Sequence, residues 1–193
     1  MSKQIKITRT LFVGLGGTGV KAILRAKQCF MDAYNGKVPS MIEFLAIDTD
    51  SNIGGDPIKS QVYGDIKLEK NETLYITARN AKPKYDFYPD SYEWLPIQNV
   101  ENLVGIRGEG AGQVRSNGRF ILYDNLGTIR TAIQNKYGKI TEAISLGGDF
   151  IPATKSDGSM CPAIVNIVGS IAGGTGCGML VDMLQLVPKA LGD

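Results

Sequence analysis

The chain has 193 residues, of which 43% are hydrophobic, and it carries a formal charge of +2. This length suits one domain with a substantial core, and without a concentrated basic stripe we expect no nucleic-acid partner. The absence of histidine excludes Ser-His and Cys-His catalysis and removes the commonest zinc ligand, so that a metal would be held by carboxylates, with Mg²⁺ the best candidate.

The N-terminal sequence MSKQIKITRT lacks the apolar core of a signal peptide. Further along the chain, no apolar run approaches the roughly 20 residues that a membrane helix requires. We therefore predict a cytoplasmic protein with no membrane span.

The first part of the chain predicts a strand, a helix and a second strand. Polar and apolar residues alternate at the start of residues 5–13, and the end of this segment is apolar. The pattern predicts a strand ending at Gly14. A helix is expected over about residues 20–33, where apolar side chains recur on one face. The segment MIEFLAI predicts the next strand, which closes at Asp48. A unit of this kind builds a parallel sheet.

Residues 51–104 show no clear periodicity and contain the aromatic-rich stretch YDFYPDSYEW. We interpret this segment as an extended connection whose aromatic side chains cover the edge of the sheet. The alternative interpretation is a surface that binds a partner.

A second glycine-rich loop and a helix are predicted from GEGAGQVRSNGRFILYDNLGTIRTAI. The loop contains Gly108, Gly110 and Gly112, and the helix pattern is weakened by Gly118 and Gly127. Residues 135–160 are rich in Gly, Ser, Asp and Lys, which predicts an inserted, mobile segment.

The final predicted unit is a strand, AIVNIV, a glycine cluster, AGGTGCG, and a helix, MLVDMLQLV. Glycine is unfavourable in regular structure, so such a cluster indicates unusual backbone dihedrals or a ligand close to the main chain. The free N–H groups at the start of the helix suit an anionic ligand.

The glycine-rich loops and an acidic turn are expected to meet, because ligands of open α/β sheets bind outside the carboxyl ends of the strands. The stretch GLGGTG fits the GxGxxG pattern of dinucleotide-binding proteins. In that pattern an acid that binds the ribose usually follows after about 20 residues, whereas Asp48 and Asp50 follow after about 30. A P-loop is excluded, because no glycine is followed by Lys and Ser or Thr in the required register.

The pair Asp48 and Asp50 suggests a site for hydrated Mg²⁺. If the segment stays extended, both carboxylates point to the same side. The alternative is a solvated turn in which Asp48 is a cap. The loop around Gly110 and Gly112 could bring backbone N–H groups against a terminal phosphate, or could be an ordinary connection.

The order of these motifs resembles the nucleotide-binding half of the tubulin/FtsZ superfamily. The family hallmark is a small residue followed by GGTG, then Ser, Ala or Thr, then Gly, and AGGTGCG fills it with cysteine at the sixth place. GLGGTGVKAI resembles the first phosphate loop, IDTD the second and GAGQVRSNGR the third. Lys21 stands where an asparagine is usual, and Val114 and Arg115 replace the usual Asn-Pro.

The resemblance implies nucleotide-binding residues in the first, third and fourth loops: Gly16, Gly17, Thr18, Gly19, Lys21, Gly110, Ala111, Gly112, Ala172, Gly173, Gly174, Thr175 and Gly176. The first and fourth loops would wrap the α- and β-phosphates with backbone donors and the Thr175 hydroxyl, and the third would close on the γ-phosphate. Asp48 and Asp50 would hold Mg²⁺ through water. No catalytic residue is identified.

The fold implied is α/β, with a parallel Rossmann-like sheet flanked by helices. The match suggests a divergent bacterial tubulin-like protein with insertions near residues 58–104 and 135–160. The family's sugar and base contacts, central helix and acidic hydrolysis loop lie downstream of the fourth loop. We therefore expect residues 1–193 to be the N-terminal portion of a longer domain that, alone, binds nucleotide weakly and hydrolyses almost none.

The function implied is binding of GTP or GDP with Mg²⁺ and, in the complete protein, GTP hydrolysis coupled to assembly into a homo-oligomer or filament. Two alternatives remain open. A Rossmann-type enzyme using NAD or an adenylate would explain GLGGTG and Asp48 but leaves AGGTGCG unexplained. A non-catalytic tubulin-like scaffold would keep the fold without turnover. The sequence does not decide between guanine and adenine.

Overall fold

The computed structural model describes residues 4–78, 81–96, 110–143 and 149–192. The strands are β1 (Ile5–Ile7), β2 (Thr10–Leu15), β3 (Ile42–Asp48), β4 (Ile58–Ser60), β5 (Gly64–Ile66), β6 (Thr73–Tyr75), β7 (Phe150–Pro152) and β8 (Ile164–Gly169). The α-helices are α1 (Gly16–Ala33), α2 (Ala81–Phe87), α3 (Arg115–Asp124), α4 (Leu126–Glu142) and α5 (Gly174–Leu191). Single 3₁₀ turns lie at Lys70–Glu72 and Pro89–Tyr92.

A four-stranded sheet in the order β6-β3-β2-β8 forms the centre of the fold. Each pair of neighbouring strands is parallel. Alternate residues of β2 point to opposite faces, as the two-residue period of a strand requires. Leu11 and Val13 pack with α3, α4 and α5, whereas Phe12 packs with α1. The predicted α/β fold, a parallel sheet flanked by helices, is confirmed.

The first predicted strand, over residues 5–13, is in fact two strands that belong to different sheets. Thr8 and Arg9 separate them, and the Thr10 hydroxyl donates a hydrogen bond to the Thr8 carbonyl oxygen at 2.9 Å. Strand β2 enters the central sheet, whereas β1 pairs in parallel with β7. The prediction of one continuous strand is therefore wrong.

The segment 135–160, predicted to be a mobile insertion, contains regular structure at both of its ends. Helix α4 continues to Glu142, and β7 pairs with β1. Within α4, buried Lys136 pairs with Glu43 of β3 at 2.5 Å, and Ile140 is also buried, so this part of the segment packs on the sheet. The expectation of a mobile segment is corrected for these residues, whereas the insertion itself stays a prediction. Residues 144–148 lie outside the described part of the chain.

The helix predicted after the third loop is divided into α3 and α4 at Asn125. The Asn125 side-chain amide donates hydrogen bonds to the Ile121 carbonyl at 2.8 Å and to the Thr77 carbonyl at 3.0 Å. Asparagine competes with the backbone in this way, which favours a helix boundary. Helix α1 also differs from prediction, because it begins at Gly16 rather than near residue 20.

Tyr92 and Trp94, in the segment after β6, pack on helix α3, whereas Phe87 and Tyr88 of the same segment are exposed. The rings of Tyr92 and Phe120 have centroids 5.1 Å apart. The Arg119 guanidinium lies 4.5 Å from the centre of the Trp94 ring and pairs with Asp182 of α5 at 2.9 Å. For Tyr92 and Trp94, the predicted covering of the sheet edge is therefore wrong. Throughout the described ranges, each helix is too short or too polar to cross a lipid bilayer.

Candidate functional site

Four polar segments meet at the carboxyl end of the parallel sheet. We call residues 14–19 loop 1, residues 48–50 loop 2, residues 110–114 loop 3 and residues 169–176 loop 4. Loops 1, 2 and 4 follow three adjacent strands, in which Leu15 is paired with Ile47 on one side and with Gly169 on the other. The expected gathering of these loops at one edge is observed.

Loops 1 and 4 are in direct main-chain contact. Gly16 has a φ of +68°, and a Cβ atom added to it would lie 3.0 Å from the Gly176 nitrogen. A Cβ atom on Gly176 would in turn lie 2.9 Å from the Leu15 carbonyl oxygen. Glycine is therefore required at both positions for packing, and the first turns of α1 and α5 lie side by side.

Loop 3 packs against loop 4 with equally little space. A Cβ atom on Gly174 would lie 2.9 Å from both Ala111 Cβ and the Val114 nitrogen. The Ala111 carbonyl oxygen accepts hydrogen bonds from the Val114 nitrogen at 3.1 Å and from Asn117 Nδ2 at 3.3 Å. Loop 3 is thus folded back on the start of α3. The predicted glycine Gly108 lies outside the described residues.

Loop 2 bends at Thr49 and does not remain extended. Asp48 Oδ1 accepts hydrogen bonds from the backbone nitrogens of Thr49 at 2.7 Å and Asp50 at 3.4 Å. Asp48 is buried, whereas Asp50 is exposed and accepts a hydrogen bond from the Asn52 nitrogen at 2.9 Å. The extended geometry on which the predicted pairing of the two carboxylates depended is not present.

A metal at this site would rely on few protein ligands. Across the part of the chain that the structure describes, no group of three or more Cys, Asp or Glu side chains is placed to hold an ion. A hydrated Mg²⁺ that is bound largely through phosphates and water needs only one or two carboxylates. Of the two loop 2 acids, Asp50 is the more accessible to such an ion.

The surroundings of Asp48 raise the pKa of its carboxyl group. Burial raises the pKa of this carboxyl, and hydrogen bonds from the Thr49 and Asp50 backbone and the Thr175 hydroxyl offset part of the rise. Desolvation penalises the charged form, so the net direction is toward a more easily protonated acid.

We expect Asp48 to make the folded chain less stable as the pH rises above about 4. The folded carboxyl keeps its proton to a higher pH than the unfolded one, so the folded state binds more protons in this window. Urea unfolding of wild type and Asp48→Asn at several pH values measures the effect. The stability of wild type relative to Asp48→Asn should fall with rising pH, and a flat or rising difference would contradict the assignment.

Asp157 provides a control, because its pKa is shifted in the opposite direction to that of Asp48. It is exposed, and hydrogen bonds from Ser159 lower its pKa. Its contribution to stability should therefore be present above its ordinary pKa and disappear as the pH falls through the lowered value. The free energy of unfolding of wild type relative to that of Asp157→Asn should rise with pH, whereas the corresponding difference for Asp48→Asn should fall.

Two buried polar residues of the site were not predicted from the sequence. Thr49 Oγ1 lies 2.6 Å from Thr175 Oγ1, which joins loop 2 to loop 4. Asn117 is buried, and its Oδ1 atom has no hydrogen-bond partner among the described residues. The position of Thr49 between two acids in IDTD was the available signal, whereas nothing in the pattern around Asn117 indicated its contact with loop 3.

Two glycines of the site face open space. A Cβ atom added to Gly17 or Gly173 would have no neighbouring atom within 4 Å, and neither residue has a positive φ. Thr18, Lys21 and Ala172 are also exposed around these positions. Neither packing nor a positive φ requires glycine at 17 or 173. The same holds for Gly127 and Gly138, but Gly17 and Gly173 lie among the loops at the carboxyl end of the sheet, where glycine leaves the main chain accessible.

The sequence matches one protein-family model over almost its full length. The model of a family described as tubulin-like covers residues 11–193, which include all four loops. The chain is also similar to the reductase component of propane 2-monooxygenase from Mycolicibacterium goodii, with 25% identity over 148 residues. That alignment covers 75% of this chain and 41% of the relative, so the chain spans less than half of its length. On the evidence of the family match and the parallel α/β fold, the chain belongs to the tubulin-like family.

Proposed function

We propose that this chain binds a guanine nucleotide, with its phosphates against the main chain of loops 1, 3 and 4. The observation that carries the proposal is the open space at Gly17 and Gly173. Both residues lie at the start of a helix, beside the carboxyl end of the sheet. Membership in the tubulin-like family supports the choice of a guanine nucleotide.

The electrostatics of the two helix starts favour an anion. The first N–H groups of a helix have no partner within it, and the helix dipole adds partial positive charge there. Helices α1 and α5 have no acidic residue in their first turns, so no side-chain carboxylate offsets this charge. Because loops 1 and 4 are in contact, the two helix starts can act on the same group of phosphates.

In the complete protein, we propose GTP hydrolysis coupled to assembly into a homo-oligomer or filament. This part of the proposal rests on the family resemblance, and no residue of the chain is assigned a catalytic role. GTP or GDP would bind together with Mg²⁺, which neutralises phosphate charge. Asp50 would contact the hydrated ion.

Thermal unfolding in the presence of different nucleotides tests the binding proposal. A ligand that binds only the folded state raises the free energy of unfolding by RT ln(1 + [L]/Kd), and with it the melting temperature, so at equal concentration the tighter ligand gives the larger rise. For the complete protein, which would include the family's base contacts, we expect GTP and GDP with Mg²⁺ to raise the melting temperature more than ATP or NAD at the same concentration. Stabilisation by NAD alone would contradict the proposal.

The substitution Asp50→Asn tests the role of the metal. We expect Mg²⁺ to strengthen GTP binding by wild type, and this gain to shrink about fivefold in the variant, since one charge interaction near the surface is worth about 1 kcal/mol. After removal of Mg²⁺ with EDTA, the variant should bind GTP at least as well as wild type, because a negative charge near the phosphates is lost. Titration calorimetry with and without Mg²⁺ measures both effects.

Asp65→Asn is the matched control for this substitution. Asp65 is an exposed acid in β5, outside the four loops. Asp65→Asn removes the same charge as Asp50→Asn but lies away from the proposed metal position. Mg²⁺ should therefore strengthen GTP binding by Asp65→Asn as much as it does for wild type. An equal loss of Mg²⁺ dependence in both variants would show that only net charge matters, which would refute the role of Asp50.

A redox dinucleotide is the second candidate ligand. It is favoured by the similarity to a protein named as a reductase component and by the GLGGTG pattern of loop 1. The NAD sample in the thermal unfolding series separates this candidate from the guanine nucleotide.

A further inference from the structure

A buried pair of hydroxyl groups connects two of the proposed phosphate loops. Thr49 Oγ1 of loop 2 and Thr175 Oγ1 of loop 4 are 2.6 Å apart. Only 1% of Thr49 and 7% of Thr175 is exposed. A hydrogen bond between groups removed from water is costly to break, because the buried Thr49 hydroxyl would be left without compensation for its burial.

Thr49 also lies against loop 3. A Cβ atom added to Gly110 would be 3.8 Å from Thr49 Oγ1, so the main chain of loop 3 passes next to this hydroxyl. Loop 3 in turn packs on loop 4 through Ala111 and Gly174. The Thr49 side chain is therefore at the point where loops 2, 3 and 4 come together.

Thr175 is held at the start of α5 by these contacts. Its hydroxyl is also within hydrogen-bonding reach of the Asp48 carboxylate. Either threonine can be the donor in the hydroxyl pair, and in both arrangements the side chain of Thr175 is turned toward loop 2. On the other side of loop 4, a Cβ atom added to Gly173 would have no neighbour within 4 Å, so the main chain there borders open space.

We propose that Thr49 is a positioning residue for the nucleotide site: its hydroxyl fixes Thr175, and thereby loop 4, in the conformation that presents main-chain N–H groups to the phosphates. This inference rests on the proposed nucleotide binding. It assigns Thr49 a role through Thr175 and not through contact with the ligand.

Substitutions that remove or retain the hydroxyl test this role. Thr49→Val keeps the shape of the side chain and removes its hydrogen bond, so GTP affinity in the presence of Mg²⁺ should fall about tenfold. Thr49→Ser retains the hydroxyl and should restore most of the affinity. Thr175→Val should weaken binding to a similar extent, and the double variant Thr49→Val with Thr175→Val should be no weaker than the worse single variant, because both remove the same bond.

Thr10→Val is the matched control. Thr10 is buried, and its hydroxyl is hydrogen bonded to the Thr8 carbonyl at the opposite end of β2. This variant loses a comparable hydrogen bond and should be destabilised, but its GTP affinity should equal that of wild type. Wild-type affinity in Thr49→Val, or fully additive effects in the double variant, would overturn the inference.

A measurement without nucleotide separates this inference from the proposed function. In the nucleotide-free chain, Thr49→Val should shift the amide NMR resonances of Thr175 and Gly110, whereas Thr49→Ser and Thr10→Val should leave them near their wild-type positions. Unchanged resonances in Thr49→Val would overturn the inference alone. Failure of wild type to bind any guanine nucleotide would overturn the proposed function, and with it the role of Thr49 in binding.

Discussion

Replacing Gly17 with alanine is expected to stabilise the nucleotide-free chain and, at the same time, to weaken its binding of GTP. Gly17 is the second residue of α1, has no positive φ and faces open space. Alanine favours a helix over glycine by up to about 1 kcal/mol, so the free energy of unfolding should rise by about 0.5–1 kcal/mol. The added methyl group would occupy the space in which we place a phosphate.

The expected loss of GTP affinity in Gly17→Ala is about tenfold to a hundredfold, which is equivalent to about 1.4–2.7 kcal/mol for blocked main-chain hydrogen bonds. Urea unfolding measures the stability, and titration calorimetry measures the affinity. A gain in stability together with a loss of affinity is the pattern expected of a residue kept for its ligand and not for the fold.

Gly127→Ala is a close control for this substitution. Gly127 is the second residue of α4, and a Cβ atom added to it would also have no neighbour within 4 Å. It lies outside the four loops, so the variant should gain similar stability without a change in GTP affinity. If Gly17→Ala binds GTP as well as Gly127→Ala does, no phosphate lies against Gly17.

The substitution Gly178→Ala is expected to cause a large loss of stability. A Cβ atom at this position of α5 would lie 2.3 Å from the Arg115 carbonyl oxygen and 2.7 Å from the Arg119 nitrogen. Both atoms belong to the backbone of α3, so the overlap cannot be relieved by rotation of a side chain. Overpacking of this kind costs about 3 kcal/mol, which lowers the melting temperature of a chain of this size by about 6–12 °C.

Gly138→Ala is the control for the packing argument. Gly138 lies within α4, and an added Cβ atom would have no neighbour within 4 Å. The same chemical change should therefore leave the melting temperature unchanged or raise it. A melting temperature of Gly178→Ala within a degree or two of wild type would contradict the close contact between α3 and α5.

The sequence predicts the central sheet well because its main strands are long apolar runs. Strands β2, β3 and β8 were all expected from such runs, and the tubulin-like family match confirms the fold that they build. By contrast, β6 and β7 have three residues each. Strands of this length show no measurable periodicity, and their pairing depends on contacts with residues far along the chain.

Site residues can be predicted from the sequence where a short motif identifies them. They cannot be predicted where their role depends on a contact with a residue far away in the chain. Glycine clusters and the acidic turn can be recognised within a few residues of sequence, and the structure brings their loops together. The contact of Thr49 with Thr175 joins residues 126 positions apart. The sequence also does not separate the buried Asp48 from the exposed Asp50, because the surroundings of Asp48 include Thr175, which is distant in the chain.

The central claim is that the glycine-rich loops form one phosphate-binding site. An NMR titration of the ¹⁵N-labelled chain with GTP and Mg²⁺ tests it most directly, since weak binding is also detected. We predict that the amide resonances of Gly17, Gly112 and Gly173 move together and saturate with one dissociation constant, while those of Gly127 and Gly138 stay in place. Absence of movement at the three loop glycines at saturating nucleotide would contradict the claim.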